Sequence, residues 1–183
     1  NDISSAMAEM DDLAKTIEYL EHFVEHHPNT LVIVTADHST GGFTLAANGK
    51  YEWNAESLRT MKHSINYIAK QLAENKIDST LTSTLFNFEL TEDELILLKK
   101  SKINAKLTQS TNMYQSDMSA SEKALVKSAK AIMDKRTNSG WTSGGHTAID
   151  VPVFAFGQHS ELFKGSQDNT DIGKTLFKLL GKE

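Results

Sequence analysis

Residues 31 to 42 read LVIVTADHSTGG, and the two halves of this stretch differ in chemistry. Four consecutive apolar residues, Leu31 to Val34, match a strand covered on both faces, the usual state in a parallel sheet. The run then meets Asp37 and His38, an ionisable pair with Thr35 and Ser39 close on either side and Gly41-Gly42 behind. Upstream, Ile3, Met7, Met10, Ala14, Ile17, Leu20 and Val24 recur at three- and four-residue steps, which predicts an amphipathic helix from the start of the chain to about His26. HHPNT, residues 26–30, stops it. A helix, a short connection and a buried strand make the αβ half of a doubly wound unit, so the expected fold class is α/β.

Composition narrows the function. At 183 residues the chain is long enough for one domain with a real core. With 19 basic against 24 acidic residues the net charge is −5, and neither sign forms a block, so no nucleic-acid partner is indicated. An anionic substrate would need a local cation to reverse that bias. There are no cysteines, which removes disulfides and thiolate metal sites and leaves N and O ligands for any metal. No apolar run approaches the ~18 residues of a membrane span, and no signal-peptide pattern opens the chain. It begins NDISSAMAEM, without an initiator Met, which reads as a start inside a longer protein.

Beyond Gly42, Phe43 and Leu45 alternate before Asn48-Gly49, and Tyr51 and Trp53 alternate after it, the pattern of a hairpin. From Ala55 to about Thr137 the character changes to helices joined by polar turns, a candidate insertion over 55–137 within a single segment spanning 1–183. Leu58, Met61, Ile65, Ile68 and Leu72 mark its first helix. Thr91 with Glu94 forms a capping box that starts a short helix at Glu92, and Ser119 with Glu122 repeats the signal before Leu125, Ala129 and Ile132. WTSGGHTAID, residues 141–150, reads as a loop, and VPVFAFG as a second buried strand with Pro152 near its start. Asn169 or Thr170 is placed to cap a last helix carrying Ile172, Leu176 and Leu179 and ending at Gly181.

In open α/β sheets the ligand crevice lies beyond the carboxyl ends of the strands, where Asp37 and His38 sit. A carboxylate with an imidazole suits zinc, provided the backbone turns so that adjacent residues converge, and STGG permits that turn. The alternative is that Asp37 caps a turn and His38 is a hydrogen-bonded loop residue. His146, in SGGHTA, is the second candidate, with Thr147 placed to orient a ligand or to satisfy a turn. Three other patterns read as structural. HFVEH, His22 to His26, matches an inverted zinc-protease helix but sits in the last turn of a surface helix, where His complements the dipole. Asp78-Ser79 lies in a polar turn without glycines or a nearby base. Gly165-Ser166-Gln167, with one glycine, makes a poor phosphate cradle.

TLVIVTADHSTGG, then WTSGGHTAIDVPVFAFG, then FKGSQDNTDIGKTLFKLL resemble, in this order, the C-terminal portion of the bacterial alkaline phosphatase family. The opening ND and its helix fit the segment that follows that family's first zinc motif. The resemblance implies the C-terminal part of a doubly wound sheet with a helical insertion. It also implies a phosphate monoester as substrate, inorganic phosphate as product, two zinc ions with a magnesium nearby, and a transiently phosphorylated serine. By position in the motif, Asp37 and His38 correspond to two ligands of the zinc that activates that serine, and His146 to a ligand of the other zinc. A periplasmic or secreted location follows from the resemblance alone, and a homodimer is compatible with it.

The departures limit what these residues do by themselves. The family's Asp-Ser nucleophile motif, the Glu of the magnesium site, and the Asp and His that complete the second zinc precede this segment in the family. No catalytic nucleophile is therefore assigned, and the expected partner is the upstream part of the same enzyme. The isolated chain is expected to be inactive. Two other readings stay open: another hydrolase of the superfamily, such as a phosphodiesterase or sulfatase, or a cofactor-independent mutase; and a non-catalytic metal-binding or subunit-interaction module.

Overall fold

The computed structural model of the chain describes residues 1–107 and 118–182. Residues 108–117 of the expected insertion lie outside the described residues. Among the described residues, seven helices and six short strands follow in the order α1 (Ile3–His26), β1 (Leu31–Thr35), β2 (Ser39–Thr40), β3 (Phe43–Leu45), α2 (Glu56–Thr60), α3 (Ile65–Glu74), α4 (Ser79–Phe86), α5 (Glu92–Leu107), α6 (Ala120–Thr137), β4 (Ser139–Trp141), β5 (His146–Thr147), β6 (Val153–Gly157) and α7 (Asn169–Leu179), with a one-turn 3-10 helix at Ser160–Phe163 before α7. The chain divides into two compact units, one of Asn1–Glu9 with Gly41–Gly145, the other of Met10–Thr40 with the chain from His146 onward.

The first unit is a helical cluster with a real core. Ile65, Ile68 and Leu72 of α3, Phe86 of α4, Leu98 of α5 and Leu125 of α6 are almost completely buried. The apolar spacing that predicts these helices is the stripe they bury, and α6 packs on both α3 and α5. Both expected capping boxes form. Thr91 Oγ1 accepts the Glu94 N–H at 3.3 Å while Glu94 Oε2 accepts the Thr91 N–H at 2.8 Å, and Ser119 and Glu122 do the same for α6. The helix expected to be short at Glu92 runs for 16 residues.

One carboxylate joins two helix starts in this unit. Asp2 Oδ1 accepts from the N–H groups of Ser4 and Ser5 at the head of α1, and Oδ2 accepts the Ile65 N–H at the head of α3 at 2.8 Å. Burial alone would raise the Asp2 carboxyl, but the bonds from Ser4, Ile65 and Ser5 outweigh it and hold the group below the ordinary carboxylate range. This anchor explains a departure from the periodicity. The single helix expected over Leu58 to Leu72 is broken, because Met61 turns extended at ψ 137 and the chain restarts at Ser64, whose side chain accepts the Tyr67 N–H.

Two further expectations give way. Phe43–Leu45 pairs antiparallel with Ser139–Trp141, far along the chain, and not with Tyr51–Trp53 across Asn48-Gly49. Asn138 decides this. Its side chain donates to the carbonyls of Lys50 and Glu52 and accepts the Asn48 N–H, so the segment lies as a loop on the end of α6 and offers no ladder. IDSTLTST is not a polar turn either: Asp78 caps α4 by accepting the Leu81 N–H at 3.0 Å, and Ser79 is the first helical residue.

The second unit is built on one non-local pairing. β1 lies antiparallel to β6, with Leu31 opposite Gly157 and Thr35 opposite Val153. The parallel neighbour that LVIV suggests is not found among the described residues, and these strands are only half-covered, with Phe154 59 % exposed. The apolar runs do mark the strands, but run length carries no information on the direction of the partner. Asp168, one residue earlier than expected, caps α7 by accepting the Thr170 N–H at 2.9 Å, and the helix ends before Gly181 at φ +66°.

The ion pair between Glu94 and Arg136 tests the packing of the helical unit. Arg136 Nε and Nη2 donate to the two Glu94 oxygens at 2.8 and 2.6 Å, and the guanidinium lies 4.6 Å from the Phe88 ring centre. Burial opposes the Glu94 charge, yet the bonds from Arg136 and Thr91 prevail and its pKa lies below the ordinary value. A lowered folded-state pKa contributes stability above the unfolded value, near pH 4.3, that is lost as pH falls through the folded value. Glu94→Gln is therefore expected to lose about 1–3 kcal/mol at pH 7 and much less near pH 3. Urea unfolding followed by fluorescence of Trp53 and Trp141 at both pH values measures it.

Candidate metal centre

The strand β1 ends at Thr35, whose hydroxyl donates to the Pro152 carbonyl at 3.0 Å, and the chain leaves the ladder over Ala36 to His38 before entering a separate two-stranded sheet at β2. That bend lets two adjacent side chains face one another, which an extended strand forbids. His38 Nε2 lies 3.3 Å from Asp37 Oδ2, and Asp37 Oδ1 accepts the His38 N–H at 3.0 Å. The Asp37 side chain is 86 % exposed and that of His38 35 %.

The far side of the His38 ring defines its tautomer. Nδ1 lies 3.0 Å from the Ser39 carbonyl, and a carbonyl only accepts, so Nδ1 carries the proton. Nε2 then confronts a carboxylate oxygen. Two acceptors at that distance call for a cation between them, either a proton or a metal. The spacing suits a metal: two ligands at ~2.0–2.1 Å from one tetrahedral zinc stand roughly 3.3–3.4 Å apart. A backbone carbonyl on the opposite ring nitrogen is also one of the groups that commonly orient a metal-binding histidine.

His146 arrives from β5, where it pairs with Thr40 of β2. Its ring stacks on that of His38, with centroids 3.4 Å apart and planes inclined by 21°. An imidazole lone pair lies in the ring plane, so two nearly parallel rings at this spacing serve two separate centres better than one. Paired metals in phosphoryl-transfer sites stand about 3.5–4 Å apart, a spacing similar to this stack. Among the described residues, no group of three or more His, Asp or Glu is arranged to hold a metal, so the three residues form parts of sites and not a closed cage. Asp37 and His38 border an open cleft of about 960 Å³ that also reaches Thr147, Asp150, Gln167 and Asp168.

The remaining sequence candidates are held structurally. His22 and His26 stand exposed at the end of α1, where His26 Nδ1 lies 2.9 Å from the His22 carbonyl. Gln167 donates to the carbonyls of Leu162 and Lys164, closing a turn and not cradling an anion. Sequence reasoning missed Ser39 as a partner of the centre. Its only signal was adjacency: a hydroxyl residue follows each candidate histidine.

Three residues after His38 in the chain, Gly41 is required by geometry. It sits at φ +68°, and a Cβ there would stand 2.3 Å from Trp141 Cε3 and 2.5 Å from the Asn1 side chain. Gly41 also exchanges backbone bonds with Gly145 and Ser143. Gly41→Ala is expected to cost at least about 2 kcal/mol, from left-handed strain and overpacking together, read as a fall in melting temperature.

A family model described as alkaline phosphatase matches residues 1–182. Alkaline phosphatase 3 of Bacillus subtilis is 34 % identical over 181 residues, covering 98 % of this chain and 36 % of that protein. The crystal structure of a cold-active alkaline phosphatase from a psychrophilic Shewanella superposes with a TM-score of 0.81 at 36 % identity, over 98 % of this chain and 41 % of that one. The Thermus thermophilus alkaline phosphatase, at 21 % identity and a TM-score of 0.63, shares the fold. The chain thus spans about a third of the length of the curated relatives it matches.

Proposed function

The chain belongs to the alkaline phosphatase family, and on that premise we propose that it supplies part of the zinc centre of a phosphomonoesterase whose nucleophile lies in another segment of a longer protein. The observation that carries this reading is the Asp37–His38 contact at 3.3 Å, with the His38 tautomer held by the Ser39 carbonyl. Asp37 and His38 would hold the zinc beside the nucleophilic serine, and His146 would hold the second. Zinc bound there supplies the Lewis acidity and charge neutralisation that in-line displacement on a phosphate ester demands.

The residues of this chain do three things in that scheme. Asp37 places negative charge against the metal and receives the His38 N–H, which keeps its carboxylate turned toward the ring. His38 directs Nε2 toward Asp37, because the Ser39 carbonyl engages Nδ1 on the opposite side of the ring. His146, stacked on His38, offers its own ring to the neighbouring position. A chain of net charge −5 repels a dianionic ester, so the cations also provide the local attraction that the protein lacks. The magnesium ligands, the serine and the other zinc ligands of the family have no counterpart motif in these residues. A periplasmic or secreted location, and assembly as a homodimer, belong to the same reading.

In the longer zinc-loaded protein, His38→Ala and His146→Ala are each expected to lose one zinc and to lower kcat/KM for p-nitrophenyl phosphate by roughly 10²-fold or more, about 3 kcal/mol of transition-state stabilisation. Unchanged zinc content after either substitution would remove that residue from the centre. The 183 residues alone are expected to show no turnover, with or without added zinc.

A further inference from the structure

Each histidine of the centre is followed at once by a hydroxyl residue, and the two hydroxyls meet. Ser39 stands opposite Thr147 in the β2–β5 register. Their hydroxyl oxygens are 2.8 Å apart, Ser39 Oγ also bonds the Thr147 carbonyl, and the Ile149 N–H reaches Ser39 Oγ at 3.4 Å. A serine hydroxyl has one proton and two lone pairs. The carbonyl can only accept, so the Ser39 proton goes to it. The hydroxyl contact must then be donated by Thr147, and Ile149 takes the remaining lone pair. Every bonding position of Ser39 Oγ is used, and every partner lies on β5 or just beyond it.

The ladder that carries this arrangement is two residue pairs long, Ser39 with Thr147 and Thr40 with His146. Pairing of that length specifies register weakly, and a slip of one residue would turn His146 to the opposite face. From this juxtaposition we infer that Ser39 and Thr147 form a side-chain clasp that sets the separation between the Asp37–His38 pair and His146. They are positioning residues: neither is assigned to touch a metal or substrate. The clasp links the two half-sites through the residue after each histidine, so opening it leaves β5 held to β2 by backbone pairing alone and loosens the ring of His146. Asp37 and His38 keep their mutual contact and the Ser39 backbone carbonyl, neither of which needs a hydroxyl. The expected consequence is selective, a weakened second zinc beside a nearly unchanged first.

This inference rests on the metal reading proposed above, and the experiment separates the two. In the longer protein, the affinity of each zinc position is measured by competition with a chromophoric chelator. The variants are Ser39→Ala, Thr147→Val, their combination, Thr147→Ser and His146→Ala. Ser39→Ala, which removes all three bonds to Ser39 Oγ, is expected to weaken the His146 position by about 10–100-fold, and Thr147→Val, which removes the hydroxyl contact and leaves Ser39 bonded to the Thr147 carbonyl, by about 10-fold. The double variant should be no weaker than the poorer single, since either change already opens the same bond, and Thr147→Ser should stay within about threefold of the parent. Two different substitutions open the clasp, so failure of one to fold leaves the other to decide. Parent affinity at both positions in Thr147→Val or Ser39→Ala, while His146→Ala loses its zinc, overturns the clasp. Equal weakening by Thr147→Ser and Thr147→Val overturns it too, because the hydroxyl would then not be the agent. Unchanged zinc content in His146→Ala overturns the metal reading itself.

Discussion

Backbone pairing between residues 31–40 and 146–157 is the interaction on which the rest depends. β1 with β6 and β2 with β5 bring together two segments separated by the excursion Gly41–Gly145, and in doing so set His38 against His146. Loop-closure entropy grows only slowly with length, about 0.6 kcal/mol for each doubling, so a long helical excursion adds little to the cost of this closure. The excursion meets its own needs for stability through a separate core of α3, α4, α5 and α6. The local geometry of the centre then follows from a few strand residues.

That economy places demands on polar contacts. The second unit has few fully buried apolar side chains, so its alignment near the centre relies on directional bonds: Thr35 to Pro152, Ser39 to Thr147, and His38 to the Ser39 carbonyl. Hydrogen bonds specify angle and distance more sharply than apolar contact does, which suits a region where small displacements of ring nitrogens decide what is held. In the helical unit the reverse holds. Burial supplies most of the stabilisation there, while capping carboxylates such as Asp2 and Glu94 fix where each helix begins.

Local patterns were legible where the deciding physics is local. The capping boxes at Thr91 and Ser119 appear as read, because each is closed by residues three apart, and the helical stripes of α3 and α6 are buried as their spacing requires. Two of the failures share one cause. The Asn48-Gly49 hairpin gave way to pairing with Ser139–Trp141 through bonds from Asn138, and the helix expected over Leu58 to Leu72 broke where Asp2 and Ser64 started a new one. In both, a residue distant in sequence outcompeted a valid local preference.

By itself the sequence determined the α/β alternation, the apolar strands, the helix starts with local caps, and the three residues with metal-ligand chemistry, Asp37, His38 and His146. These follow from side-chain type and spacing, which act over a few residues. Only the tertiary structure decided that β1 pairs antiparallel with β6, that the rings of His38 and His146 stack, and that Ser39 reaches Thr147. Those contacts join positions more than a hundred residues apart. Their partners are selected by which backbone groups and hydroxyls find each other when the chain closes, a choice that no local spacing encodes.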